Sequence, residues 1–125
     1  MMRYEQTDEF KRDFKRLAGK YRSLEDDLNT AKINAIELRY ERSIDNAAIF
    51  EIQGFCSAKI KIAKIKKFAC KSLSGTGSRS GIRVIFAFIP EEALVIFIEI
   101  YYKGEQASED RDRIKDFLSS KKMPP

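Results

Sequence analysis

The chain has 125 residues, 43% of them apolar and 34% charged, with a formal net charge of +5 at neutral pH. That length accommodates one domain with a real core and leaves little room for a second, so residues 1–125 read as a single domain. The longest apolar run is far too short for a membrane span, and charges in the opening MMRYEQTDEF stand where a signal peptide needs apolar residues, so a cytoplasmic protein without a membrane partner is expected.

Two cysteines, Cys56 and Cys70, and a complete lack of histidine favour reduced thiols over a disulfide and argue against a zinc or other metal site. No motif asks for a small-molecule cofactor.

Taken in order, residues 2–6 (MRYEQ) suggest a short first strand. Thr7 then has the chemistry of a helix N-cap, and Asp8 with Glu9 suits the positive end of the helix dipole. Phe10, Phe14, Leu17, Tyr21, Leu24 and Leu28 recur at alternating steps of four and three, which places them on one helical face. Gly19 interrupts the pattern, and Ser23 with Asp26 reads as a second start signal. Helices over 8–18 and 23–40, arranged as a helical hairpin, are expected. Residues 41–57 carry turn formers at Asp45, Asn46 and Gly54, and Ile49, Phe50, Ile52 and Phe55 suggest a partly buried connector.

From Ala58 to Leu73 the pattern changes to alternation, with Lys59-Ile60-Lys61-Ile62 at the two-residue strand period. Here the charge distribution becomes informative. Lys59, Lys61, Lys64, Lys66, Lys67, Lys71, Arg79 and Arg83 lie in a stretch with no acidic residue between Glu51 and Glu91. The other 16 of the 24 basic residues are set against 19 acidic ones. Positive charge is therefore segregated, which points to a polyanionic partner.

Ser72 to Gly81 (SLSGTGSRSG) is a glycine- and serine-rich loop exposing Arg79. It lacks the lysine spacing of a P-loop and precedes a strand rather than a helix. Residues 81–89 and 94–102 are apolar on both faces and flank Pro90-Glu91-Glu92, which predicts a hairpin of central strands. A last helix is expected over 105–118 (EQASEDRDRIKDFL), anchored by Ile114, Phe117 and Leu118, before a frayed SSKKMPP tail. The fold class is α+β: a small curved antiparallel sheet, an N-terminal helical hairpin packed on it, and a C-terminal helix.

The order of these elements, TDEFKRDFKRL and KYRSLEDDL at the start, GIRVIF followed by ALVIFIEIYYKGE, and the closing SEDRDRIKDFL together resemble the RelE/ParE superfamily of type II toxin–antitoxin toxins over nearly the whole chain. The resemblance implies a small basic toxin bound by a cognate antitoxin protein. RelE-like members are messenger RNA endoribonucleases (mRNA interferases) acting in the ribosomal decoding site; ParE-like members inhibit DNA gyrase without cutting RNA. By position, Arg83 matches the strand arginine that contacts the scissile phosphate, Lys103 a second catalytic cation, and Lys71 the basic pair on the preceding strand. Lys64, Lys66, Lys67 and Arg79 would then hold the RNA. The chain departs from RelE-like nucleases near its C-terminal end, where they often supply a tyrosine or histidine. No tyrosine follows Tyr102, and Ser108 or Glu109 stands in that neighbourhood. An inactive toxin fold and a plain RNA-binding module remain the alternatives.

Cleavage of RNA by its own 2′-hydroxyl needs a base for that hydroxyl, cations for charge developing on phosphorus, and an acid for the departing 5′-oxygen. Arginine suits the second task, because its planar fork stays charged and meets two phosphate oxygens. A lysine becomes a base only when neighbouring cations lower its pKa from about 10.4. Strand geometry adds a condition. A regular hairpin around Pro90–Ala93 sets Arg83 opposite Ile100 and turns Lys103 to the other face, whereas a bulge near the strand end brings both to one face.

Overall fold

A computed structural model describes residues 1–73, 75–77 and 79–121. Ser74 and Ser78 of the glycine-rich loop, and the tail from Lys122 onward, lie outside the described residues.

The centre of the molecule is the expected hairpin, β4 (Ile82–Ile89) and β5 (Leu94–Tyr102). Pro90 starts a single 3₁₀ turn, Pro90–Glu92, and Ala93 closes it in the left-handed conformation at φ 48° with its N–H on the Pro90 carbonyl. Beside β4 runs β3 (Lys61–Ile65), and β2 (Ile49–Glu51) pairs with β3, all antiparallel. On the far side, β1 (Arg3–Gln6) pairs with β5, giving the order β1-β5-β4-β3-β2.

The α+β class is therefore as expected, but the sheet is mixed rather than antiparallel, because β1 runs parallel to β5. The cause lies in the connection. Thr7 follows β1 immediately, donates its N–H to the Phe97 carbonyl and caps helix α1 (Asp8–Lys20) by accepting the Phe10 N–H. With α1 lying along β5, β1 emerges beside β5 and points the same way. Periodicity reports which face a side chain takes, not the direction of a partner strand far along the chain.

The apolar stripe of α1 continues through α2 (Leu24–Ala31), a wider π-helical stretch (Lys32–Glu37) and a last turn, α3 (Leu38–Tyr40). Phe10, Leu17, Leu24, Leu28 and Ile36 pack on Val84, Phe86 and Phe97 from one face of the sheet. Ser23 does not cap its own helix as the Ser23/Asp26 signal suggested. Its hydroxyl donates to Asp27 at 2.6 Å and accepts the Ser72 N–H at 2.8 Å.

Because β4 and β5 are apolar on both faces, the opposite face also needs a cover, and α4 (Arg111–Ser120) provides it. Ile114, Phe117 and Leu118 pack there with Ile62, Ile85, Ile96 and Ile98. This helix starts later than expected, at an Asp110 cap that accepts the Arg113 N–H. Residues 105–109 are diverted into a turn. The Glu105 and Gln106 N–H groups go to the Tyr102 carbonyl, and the buried Glu99 carboxylate takes the Asp110 N–H and the Gln106 amide, each at 2.9 Å.

The strand expected over 58–73 is likewise shorter. Beyond Ile65 only Phe68 makes an isolated bridge, to Arg79, and the buried Asp27 carboxylate draws the Lys71 N–H out of the sheet. Among the described residues no helix is long and apolar enough to cross a membrane.

A candidate phosphate-binding basin

The hairpin register decides what the basic residues can do together. From Ile89 opposite Leu94 to Phe86 opposite Phe97 it is regular. Between Phe86 and Ile85 it shifts, leaving Ile98 as the extra residue of a β-bulge, and beyond it Arg83 faces Tyr101 rather than Ile100. Tyr101 and Lys103 are two residues apart, so the side chain of Lys103 returns to the face that carries Arg83. The Lys103 N–H on the Gly81 carbonyl, at 2.8 Å, holds this pairing to the strand end.

Both cations line one open basin of about 540 Å³, together with Lys66, Lys67 and Arg79. Its floor passes Gly81, which sits at φ +83° and where a Cβ would come within 3.0 Å of the Tyr102 ring. A side chain there would be strained in backbone and would crowd that ring. Arg83 is the best oriented of the five cations. Its guanidinium donates to the Lys66 carbonyl at 3.1 Å and the Ile82 carbonyl at 3.3 Å. These neutral acceptors aim the fork without cancelling its charge. Among the described residues none of the five basin cations forms an ion pair with a carboxylate. Five like charges around one concavity make a strong attraction for a polyanion.

The other expected residues lie elsewhere. Lys64 stands one strand repeat before Lys66, yet its ammonium is held by Glu109 at 2.5 Å, with side chains only 16% and 11% exposed. Burial works against the Glu109 carboxylate, but the Lys64 hydrogen bond, its own backbone and the charges of Lys64 and Arg111 win, holding it below the usual glutamate value. Lys71 is exposed in the turn tied to Asp27 and does not line the basin. Of the three catalytic candidates the fold thus brings Arg83 and Lys103 together and leaves Lys71 apart. Of the four RNA-binding candidates it gathers Lys66, Lys67 and Arg79, while Lys64 is committed to Glu109.

Tyr101, beside Arg83, has its phenol pushed up to about 12 by burial and by Glu109 and Glu99, with Arg83 acting against them. At neutral pH it keeps its proton. Among the described residues no three histidine, cysteine, aspartate or glutamate side chains converge as a metal-ligand set.

One lining residue was expected only as part of a partly buried connector. Phe50, at the centre of β2, is 44% exposed and lies under the Lys66 ammonium, 4.6 Å from ring centroid to Nζ. Ile49 and Phe50 are both apolar, so nothing in the sequence marks which one faces outward; the pleat of β2 turns Ile49 inward and Phe50 outward.

No family model matches the chain, and no curated protein or solved structure matches it.

Proposed function

We propose that this chain is a RelE-like toxin of a type II toxin–antitoxin pair, a cytoplasmic messenger RNA endoribonuclease that acts at the ribosome and is held in check by a cognate antitoxin. The observation that carries the reading is the bulge at Ile98, which puts Arg83 and Lys103 into one basin with Lys66, Lys67 and Arg79. The finer RelE/ParE-like arrangement of the helices belongs to the same proposal.

In this mechanism Lys66, Lys67 and Arg79 hold the phosphates flanking the cleavage point. The 2′-oxygen attacks the adjacent phosphorus and gives up its proton to solvent water. The bond from phosphorus to the 5′-oxygen breaks, and that oxygen takes a proton from water, leaving a 2′,3′-cyclic phosphate and a 5′-hydroxyl. Negative charge accumulates on the non-bridging oxygens during the step. Arg83, held by two carbonyls, meets them as a fork, and Lys103 meets them as a compact point charge. Catalysis is then mainly electrostatic, because such donors need no reorganisation as charge develops.

A specific observation favours a second reading, a non-nuclease toxin directed at gyrase or a plain RNA-binding module. The carboxylates whose charge acts on Tyr101 beside Arg83 are occupied, Glu109 by Lys64 and Glu99 by Gln106 and the Asp110 N–H, and Tyr101 holds its proton. Both carboxylates are already engaged as acceptors and the phenol keeps its proton, so none of the three stands free as a general base.

Expression without an antitoxin, followed by primer extension on cellular messages, separates the readings. Codon-positioned cuts that vanish in Arg83→Ala support the nuclease. Intact messages with DNA-damage signalling identify a gyrase inhibitor, and salt-sensitive RNA binding without toxicity identifies a binding module. Undiminished cutting in a folded Arg83→Ala variant removes Arg83 from the mechanism.

A further inference from the structure

The fold leaves a large aromatic ring 44% exposed at the edge of a strongly cationic basin. Phe50 belongs to β2, the edge strand, and pairs with Lys64 across to β3. Its ring turns away from the core on which Ile49 packs and toward Lys66, Lys67 and Arg83. Bare phosphate recognition has no use for such a ring. Nucleobases do, since every base presents a π-face, and stacking on an aromatic side chain complements a cationic groove that tracks the backbone.

We propose that Phe50 is the base-stacking platform of this basin, so that the ligand is single-stranded RNA with one unpaired base laid on the Phe50 ring beside the phosphate held by Arg83. The Lys66 ammonium covers the ring in the free protein. Lys66 is exposed, and its flexible stem lets the ammonium leave the ring to an arriving base and move to the neighbouring phosphate. A paired base cannot reach the ring without leaving its stack, so the basin selects unpaired strands by stacking and not by reading base edges. The inference rests on the phosphate-binding part of the proposed function, not on cleavage.

The chain contains no tryptophan, so Phe50→Trp introduces a single indole reporter into the ring's own place. In low salt, its emission is quenched on titration with a short single-stranded RNA and unchanged by inorganic polyphosphate that saturates the same basin. In parallel, Phe50→Leu weakens the single-stranded RNA about tenfold, within the range of about 5- to 150-fold expected for loss of one stacked base. The same variant leaves polyphosphate affinity unchanged, and Phe50→Tyr restores RNA binding. The fully paired duplex of the same sequence shows no difference between wild type and Phe50→Leu.

Equal affinities of wild type and Phe50→Leu for the single strand overturn the stacking role while the phosphate basin stands. Equal losses toward RNA and polyphosphate also overturn it, because Phe50 then only shapes the basin. Failure of the wild type to bind either polyanion overturns the basin itself, and the stacking role with it.

Discussion

Lys64 and Lys66 stand one strand repeat apart, yet they belong to two different regions of one sheet face. The half under α4 is finished: Ile114, Phe117 and Leu118 close it, Arg113 reaches Asp13 at 2.6 Å, and Lys64 is neutralised by Glu109. The half beyond α4 is open, and its five cations have no carboxylate among the described residues. The contrast teaches that in this chain the number of lysines in a run says little about a polyanion site. What counts is which lysines the acidic C-terminal turn can reach. Glu109 arrives at Lys64 because Glu99 and the Asp110 cap fix that turn, and it reaches no further.

Phe117→Ala removes a buried ring from under α4 and should lower the unfolding free energy by about 3–5 kcal/mol in urea titration, while the folded fraction keeps its affinity for polyphosphate. On the open side the expectation reverses. If the proposed nuclease reading holds, Arg83→Ala slows RNA cleavage by about 10²–10³-fold, the loss typical of one transition-state donor, with stability changed by no more than about 0.5 kcal/mol. A variant that loses both activity and stability would mean that the two halves are not separate.

Lys64→Ala tests the boundary between them. It strands the Glu109 carboxylate and should cost about 2 kcal/mol at neutral pH, with RNA affinity and its salt dependence unaltered. The pH signature follows from the depressed Glu109 value. A carboxyl held lower in the folded state than the ordinary 4.5 stabilises above that pH and loses its contribution as pH falls through its folded value. Glu109→Gln, which removes the titrating group, should therefore flatten the acid limb of the stability curve, and Lys64→Ala should flatten it further or reverse it, because burial then works on the Glu109 carboxyl without its main opposing partner. The smallest effect belongs to Lys67→Ala, which should reduce the slope of log affinity against log salt by about 0.7 for a single strand. An equal change in slope for Lys64→Ala would erase the distinction between a paired and an open lysine.

Much of the frame was legible in the sequence because it rests on local rules. The hairpin followed from two apolar runs around Pro90, the first helix from Thr7 and its stripe, and the last helix from its three anchors, although Glu99 draws its start back to Arg111. What escaped depends on partners distant in the chain. The parallel pairing of β1 with β5 has no local signature. The end of β3 is set by Asp27, whose carboxylate takes the Lys71 N–H. The site was legible in the same uneven way. Arg83 and Lys103 could be named from their positions along the strands, but their sharing of a face depended on a bulge, and a run of apolar residues around Ile98 gives no sign of one. Phe50 was read only as part of a partly buried connector, because β2 is three residues long, too short for alternation to show which apolar residue faces outward.

The pairing of Arg3 with Leu94, and of the residues after them, makes the first strand wait for the last. During synthesis β1 and α1 leave the ribosome long before β5 exists, so their apolar face has nothing to settle on until most of the chain has emerged. Contacts of such long sequence separation form late and slowly. Arg83 and Lys103 are subject to the same delay, since the register that sets them side by side exists only once β5 is paired. A nascent chain therefore carries Lys66, Lys67, Arg79 and Arg83 before the strand that completes their basin has been made.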